Sequence, residues 1–311
     1  MKERYLLVRE LGRGSFGVVS LAWDQANGRQ VAIKQLVRPT PDARERFFRE
    51  ARTLYRQINN HFVVDLLDHD LDADPPYIVL EYCEHGSLRR WVIERRPWQE
   101  VALVLAQAVQ GLQSIHEAGG FHRDLKPDNL LLATGPEPNT VVVKVADFGL
   151  ARVPETISAT MTGQLGGTDG YIAPEILAGS AFHPGADIYS LGIVATELLT
   201  GARDPAGLHR VQIPPRLREL VLAMCAVDST KRPANRQVAA IVEEVLTPPA
   251  LPPRPSPTSS PASGPSGGTA LGGLLLFGAA LLGLAALAGG DAKWDRNVRR
   301  YRGSDGRFTQ G

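Results

Sequence analysis

Cysteine is nearly absent from this 311-residue chain, which carries only Cys83 and Cys225. Two thiols so far apart, with no ligand spacing, support neither a disulfide framework nor a metal site. They read as reduced, buried side chains in a reducing compartment. Excess charge is lacking too, with 34 basic against 33 acidic residues and a net charge of +1. Nucleic-acid-binding surfaces are usually strongly basic, so that partner class is excluded. The start, Met1–Val8, mixes charged and apolar residues without a small-residue cleavage site, which argues against a secretory leader.

What is present separates by composition. Residues 1–246 alternate strand-like and helix-like patterns and are long enough for a substantial core. Residues 247–269 turn to Pro, Ser and Gly, a composition that buries too little apolar surface to fold, and read as a disordered linker. Residues 270–290 form an apolar run, and no charged residue occurs between Arg254 and Asp291. Residues 291–311 are a short basic tail.

Tyr5–Leu11, Gly17–Trp23 and Arg29–Leu36 read as consecutive strands, with Asn27-Gly28 as a hairpin turn. Pro41–Ile58 has helical spacing at Phe47, Ala51, Leu54 and Ile58, and Gln99–Gly119 is a second helix. The expectation is an α+β fold: a strand-rich part with one helix, followed by a helix-rich part.

Several short motifs carry chemistry. Gly12-Arg13-Gly14-Ser15-Phe16-Gly17 lies between two strands with no helix following, which excludes a dinucleotide fold. A glycine hairpin lets backbone N–H groups come close to phosphate oxygens; an ordinary glycine turn would look the same in isolation. Lys34 ends the apolar stretch Val31-Ala32-Ile33, where a buried ammonium needs an anion; the bland alternative is an edge-strand lysine reaching water. Glu50 is a candidate partner. His122-Arg123-Asp124-Leu125-Lys126-Pro127-Asp128-Asn129 packs functional side chains between Phe121 and Leu130-Leu131-Leu132, and Asp147-Phe148-Gly149 follows the strand Val141–Val145.

Taken in this order, with Ala173-Pro174-Glu175 after them, these motifs resemble the Hanks-type (eukaryotic-like) protein kinases over roughly Tyr5 to Leu246. The resemblance implies a bilobal fold, with an antiparallel sheet and one helix in the first lobe and a helical second lobe. It also implies ATP with Mg²⁺, Mn²⁺ being the alternative ion. Lys34, oriented by Glu50, would hold the α/β-phosphates under the glycine loop Gly12–Gly17. Asn129 and Asp147 would hold the metal. Asp124 would take the acceptor hydroxyl's proton, and Lys126 would neutralise the γ-phosphate. Leu11, Val19, Ala32 and Leu131 would sandwich the adenine, with Leu80 as gatekeeper and backbone groups of Glu81 and Cys83 at the hinge. Lys126-Pro127 and Gly167-Thr168 resemble the Ser/Thr branch, with Thr168 touching Asp124 and Lys126. Glu175 and Arg232 would form a buried pair, and Asp187–Gly192 matches a structural stretch with Tyr189 in place of Trp. The short region Gly201–Pro215 departs from the family pattern and leaves the substrate-docking surface open.

By the same resemblance, Arg123 before Asp124 accompanies control by loop phosphorylation. Thr160 and Thr162 are the candidate autophosphorylation sites, reached through transient self-association of kinase domains. Leu271–Ala288 is 18 residues long, near the lower bound of about 17 for spanning a ~30 Å hydrocarbon core. We therefore expect a single-pass transmembrane helix over 270–290 with the catalytic region facing cytoplasmic ATP. The basic tail opposes that topology by the positive-inside rule, so either the large folded domain overrides it or the glycine-rich run dips in and returns. The expected partners are protein substrates with Ser/Thr acceptors and the membrane. A nucleotide-binding scaffold without transfer, and a small-molecule phosphotransferase, are the competing readings. Intact Lys34, Asp124 and Asp147 speak against the first, and the Thr168–Glu175 segment against the second.

Overall fold

The computed structural model describes residues 4–14, 17–37, 41, 44, 47–48, 60–137, 140–147 and 169–247, with 293–295, 300–302 and 308–309 beyond them. Strands β1 (Tyr5–Arg13), β2 (Val18–Asp24), β3 (Arg29–Gln35), β4 (Leu66–Asp70) and β5 (Tyr77–Glu81) form an antiparallel sheet in the order β1-β2-β3-β5-β4. The expected hairpin joins β2 to β3, with Asp24 opposite Arg29 and Gly28 at φ 59°, the left-handed value a tight turn asks for. Asn27 donates to Asp24 at 2.6 Å and secures the turn. One face buries Ala22, Val31, Ile33 and Val79 beneath Tyr5 and Tyr77. Of the expected helix Pro41–Ile58, only Pro41, Arg44, Phe47 and Phe48 are described, all four helical, with Phe47 buried.

The remainder is helical apart from one hairpin, β6 (Leu130–Thr134) with β7 (Val141–Val145). The helices are α1 (Arg89–Glu94), α2 (Trp98–Glu117), α3 (Pro174–Leu177), α4 (Pro184–Thr200), α5 (Pro215–Met224) and α6 (Asn235–Leu246). In α2 the apolar residues Val101, Leu105, Val109, Leu112 and Ile115 recur every three or four positions, so one face enters the core. Each contributes up to about 1.5–3 kcal/mol by burial. Gly119, at φ 77°, ends that helix. Helix α4 lies in the centre of the same core through Ile188, Leu191, Val194 and Leu198. A Cβ on Gly192 would crowd Met224 and Cys225, so glycine is what lets α4 approach the end of α5.

The short Gly201–Pro215 region holds a 3-10 turn, Pro205–Arg210, around the buried Leu208. Arg218 fastens it by donating to the carbonyls of Leu208 and Val211, each at 3.1 Å. The expected strand-rich and helix-rich parts are both present, so the α+β expectation holds. Of the expected linker 247–269 only Thr247 is described, and the apolar run 270–290 lies outside the described residues. Among the described residues no helix is long and apolar enough to cross a membrane. The basic tail contains three short antiparallel strands, β8 (Lys293–Asp295), β9 (Arg300–Arg302) and β10 (Phe308–Thr309). Trp294 pairs with Tyr301 across β8 and β9, and aromatic residues of this kind favour strands.

Candidate active site

The sheet register assembles one wall of the site. Lys34 sits opposite Val19 on β2 and Ile78 on β5, while Ala32 sits opposite Leu80. Cross-strand partners share a face, as do residues two apart, so Val19, Ala32, Lys34, Ile78 and Leu80 lie on one surface. Gly12 on β1 pairs with Val19 and extends that surface toward the glycine turn, which Gly14 closes by donating to the Gly17 carbonyl at 2.9 Å. The glycines differ in what they do. A Cβ on Gly17 would run into the backbone of Gln35, whereas Gly12 and Gly14 have open space around them. Packing therefore requires glycine at 17, and clearance over the surface is what it supplies at 12 and 14. The Arg13 guanidinium turns to Glu10 at 2.7 Å on the exposed side, leaving its backbone as the part that belongs to the turn. Ser15 and Phe16 lie outside the described residues.

Lys34 is buried, and Asp147 Oδ1 meets its Nζ at 2.8 Å. The sequence-based partner, Glu50, lies outside the described residues, as do Phe148 and Gly149. Packed surroundings alone would raise the Asp147 pKa, but Lys34 beside it outweighs them and holds the carboxyl below its ordinary range. Asp147 takes φ 58°, a left-handed conformation that non-glycine residues rarely adopt.

The segment 122–129 is a tightly bonded loop. Lys126 Nζ lies 2.8 Å from Asp124 Oδ2, and Asn129 Nδ2 donates to that same oxygen at 3.1 Å and to the Asp124 carbonyl at 2.7 Å. Two donors converge on Oδ2, so Oδ1 is the oxygen left for a further donor. With Nδ2 committed twice, Asn129 presents Oδ1 as its free pole. Ala146 N donates to the Asn129 carbonyl at 2.9 Å, which brings Asn129 beside Asp147. Amide and carboxylate oxygens are the hard donors Mg²⁺ takes, and that ion commonly uses one or two protein ligands with phosphate oxygens. Asn129 and Asp147 fit it. Among the described residues no group of three or more metal-binding side chains occurs, and such a site needs none.

Buried anchors hold this loop. Asp187, at the start of α4, accepts the backbone N–H groups of His122 and Arg123, each at 2.9 Å. That grip maintains Arg123 at φ 71°. His122 is fully buried; burial pushes its imidazole pKa down, and Nε2 lies 3.0 Å from the Ala146 carbonyl. Nearby, the expected Glu175–Arg232 pair is present and bidentate, at 2.6 and 2.7 Å. The Arg123 guanidinium lies over the rings of Phe121 and Phe182. Thr160, Thr162 and Thr168 lie outside the described residues.

At the hinge, Leu131 on β6 bridges to Ser87, which follows Glu81 and Cys83 closely, while Leu11 and Val19 sit on β1 and β2. Two features escaped the sequence reading. Lys144, buried on β7, meets the Glu81 carboxylate at 3.0 Å, and that carboxylate also accepts the Asp65 N–H. A lysine inside the apolar run Val141–Val145 was the available signal, by the logic already applied to Lys34. Arg89 binds Asp128 at 2.7 Å, Glu197 at 3.2 Å and the Tyr171 hydroxyl at 3.1 Å, joining α1 to the 3-10 turn Pro127–Asn129 and to α4. No local pattern announces such a hub.

Comparison with known proteins meets this geometry. A protein kinase domain model matches residues 5–242. Serine/threonine-protein kinase PknL of Mycobacterium tuberculosis is 34% identical over 265 residues, covering 78% of this chain and 64% of PknL. Serine/threonine-protein kinase Pkn1 of Myxococcus xanthus is 37% identical over 201 residues, covering 63% of this chain and 29% of Pkn1. The chain thus spans less than two thirds of the length of these curated relatives. The crystal structure of the Mycobacterium tuberculosis PknI kinase domain superposes with a TM-score of 0.57 at 24% identity, covering 78% of this chain and 96% of that one. At that identity the likeness is one of fold.

Proposed function

The chain belongs to the protein kinase family, and from that premise we propose that it transfers the γ-phosphoryl group of ATP to Ser and Thr hydroxyls of proteins. The observation that carries this reading is the convergence of Lys126 and Asn129 on Asp124, with Lys34 and Asp147 paired beside them. The Asp124-Leu125-Lys126-Pro127 sequence and relatives named as serine/threonine-protein kinases support Ser and Thr as acceptors.

In this reading Asp124 Oδ1 accepts the hydroxyl proton and aims the acceptor oxygen at the γ-phosphorus. Lys126, already held at Asp124, faces the charge that develops on the moving phosphoryl group. Lys34 exchanges part of its bond with Asp147 for α/β-phosphate oxygens. Asn129 Oδ1 and the Asp147 carboxylate would hold Mg²⁺, which would supply positive charge to offset that of the phosphates. Positioning and fixed electrostatics carry the rate, since little covalent work falls to the protein. Val19, Ala32 and Leu131 face the adenine, and Glu81 and Cys83 offer backbone groups at its edge.

We extend the proposal to membrane-linked signalling: residues 1–246 as the kinase domain, 247–269 as linker, 270–290 as anchor, with the domain on the cytoplasmic side. Autophosphorylation at Thr160 or Thr162 would follow from crowding on the membrane, which raises local concentration. The deciding experiment incubates the purified full chain with labelled ATP, Mg²⁺ and a generic protein acceptor, then hydrolyses the product to phosphoamino acids. Phosphoserine and phosphothreonine are expected, with a loss of about 100- to 10,000-fold in Asp124→Asn. Phosphotyrosine alone, or an unchanged rate in that variant, overturns the assignment. Flotation of the full chain with lipid vesicles, against a chain ending at Thr247, tests the anchor.

A further inference from the structure

Beyond the residues that face nucleotide or acceptor, we propose that Asn235 is a positioning residue for the catalytic loop, acting through the ring of His116. The inference rests on Asp124 being the proton acceptor, as read above. His116 lies in the last turn of α2, and its side chain is 9% exposed. Its Nε2 lies 2.8 Å from Asp187 Oδ2, and its Nδ1 lies 3.1 Å from the Asn235 side-chain nitrogen. Phe121 packs against the ring. Three helices thus meet at one imidazole, which arrives from α2 and is held by the first turns of α4 and α6.

The chemistry of Asp187 places one proton on the ring. The Asp187 carboxylate holds its pKa below the ordinary range, because His116 and His122 outweigh the burial that would raise it. A carboxylate only accepts, so His116 must present N–H at Nε2. In a neutral ring Nδ1 is then an acceptor, and buried away from water it needs a donor of its own. The Asn235 side-chain nitrogen, 3.1 Å from Nδ1, is placed to be that donor. The Oδ2 atom of Asp187 that takes the His116 bond also takes the His122 N–H, while Oδ1 takes Arg123 N–H. The left-handed backbone of Arg123, one residue before Asp124, hangs on those bonds. Without Asn235 the ring loses its second anchor and turns, and the loop before Asp124 loosens. Nucleotide contacts are untouched, because none of these three side chains lies on the Val19–Ala32–Lys34 surface. Asn235 also opens α6, so the last helix before residues 248–269 is tied to the catalytic loop.

The test uses the full chain with ¹⁵N-labelled histidine, its long-range ¹H–¹⁵N spectrum assigned with His116→Gln, alongside Asn235→Leu and Asn235→Asp. Wild-type His116 is expected as the neutral ring protonated at Nε2. Asn235→Leu should abolish that signature and lower kcat about 10- to 100-fold, with KM for ATP within about twofold. Asn235→Asp replaces the donor by an acceptor, so the ring should become doubly protonated, keep both bonds and retain kcat within about threefold. A purely structural role would instead lower both variants together with their folding and leave no link between ring state and rate. Wild-type signals and rate in Asn235→Leu, or a singly protonated ring in Asn235→Asp, overturn the proposal. Should Asn235→Leu fail to fold, the Asp variant's ring state decides it. If the wild type transfers no phosphate at all, the kinase reading fails, while the spectra still decide the role of Asn235.

Discussion

Lys34 and Asp147 meet through one oxygen at 2.8 Å, whereas Arg232 grips both oxygens of Glu175 at 2.6 and 2.7 Å. The Asp147 side chain keeps 41% of its surface open; that of Arg232 keeps 1%. Arg232 also donates to the carbonyls of Ala226 and Gly185, and its guanidinium lies over the Tyr189 ring. Both pairs join residues far apart in sequence. They differ in exposure. The carboxylate of the first pair, the open one, stays accessible to solvent, while in the second, the closed one, the Arg232 N–H groups are committed to Glu175 and to the carbonyls of Ala226, Gly185 and Val227. A single count of ion pairs would treat them alike, so the satisfied partners around each pair are what tell function from scaffold.

The largest expected effect lies on the closed pair. Arg232→Met takes the guanidinium from the Glu175 carboxylate and from the carbonyls of Ala226, Gly185 and Val227, leaves the His183 ring on Glu175, and should lower stability by roughly 3–5 kcal/mol. Urea unfolding of the variant against wild type measures it, and a loss below about 1 kcal/mol, the size of an exposed pair, would erase the distinction. On the open pair the balance reverses. Lys34→Met should cut phosphoryl transfer about 100- to 1,000-fold, with the melting temperature nearly unchanged. Asp147 can rotate toward water and stay solvated when its partner is gone. A Lys34→Met protein that unfolds before it loses activity would show that this pair is scaffold as well.

Acid should find the closed pair too. Burial alone would raise the Glu175 pKa, but Arg232 outweighs it, so the folded value lies below the ordinary 4.5. Between those two values the unfolded chain binds the proton and the folded one does not. Stability is therefore full above about pH 5 and falls as pH drops through the folded pKa, by at most ~1.4 kcal/mol per pH unit for one group. Glu175→Gln should flatten the stability profile of the domain over that range. An equally steep profile in the variant would assign the acid sensitivity to the other carboxyls held low, Asp24, Asp147 and Asp187 among them.

Much of this was legible in the sequence for identifiable reasons. Lys34, Asp124, Asn129 and Asp147 announce themselves because charged side chains in apolar surroundings need a purpose, and Asn27-Gly28 announces a turn because few residues tolerate φ above zero. The strand Val141–Val145 and the Glu175–Arg232 pair were found where expected. Strand β1 runs on to Arg13, past the expected end at Leu11, because pairing with Val18 and Val19 continues through the glycine. Harder to foresee were contacts that only tertiary packing creates. Lys144 with Glu81, Arg89 with three partners, and Asn235 with His116 join residues separated by up to 119 positions. No periodicity in one segment encodes a distance to another. The tail strands, two or three residues each, are too short to show the alternation by which a strand is read from sequence.

The smallest expected effect sharpens the same contrast at the hinge, where a side chain and its own backbone have different duties. Cys83 is 7% exposed, and burial pushes its thiol up to about 12; burial likewise pushes Cys225 up to about 11. The thiolate is the nucleophile, so neither cysteine should react with iodoacetamide near neutral pH while the protein is folded. The Glu81 carboxylate is held from behind by Lys144 and the Asp65 N–H, so the strand end beside Cys83 does not depend on the sulfur for its place. Cys83→Ala should then shift KM for ATP by less than about twofold and cost about 1 kcal/mol of stability through lost packing. Mass spectrometry should find both thiols unlabelled in buffer and both labelled in denaturant. Rapid labelling of Cys83 in the folded protein, or a tenfold rise in KM for ATP in Cys83→Ala, would mean that the side chain itself faces the nucleotide.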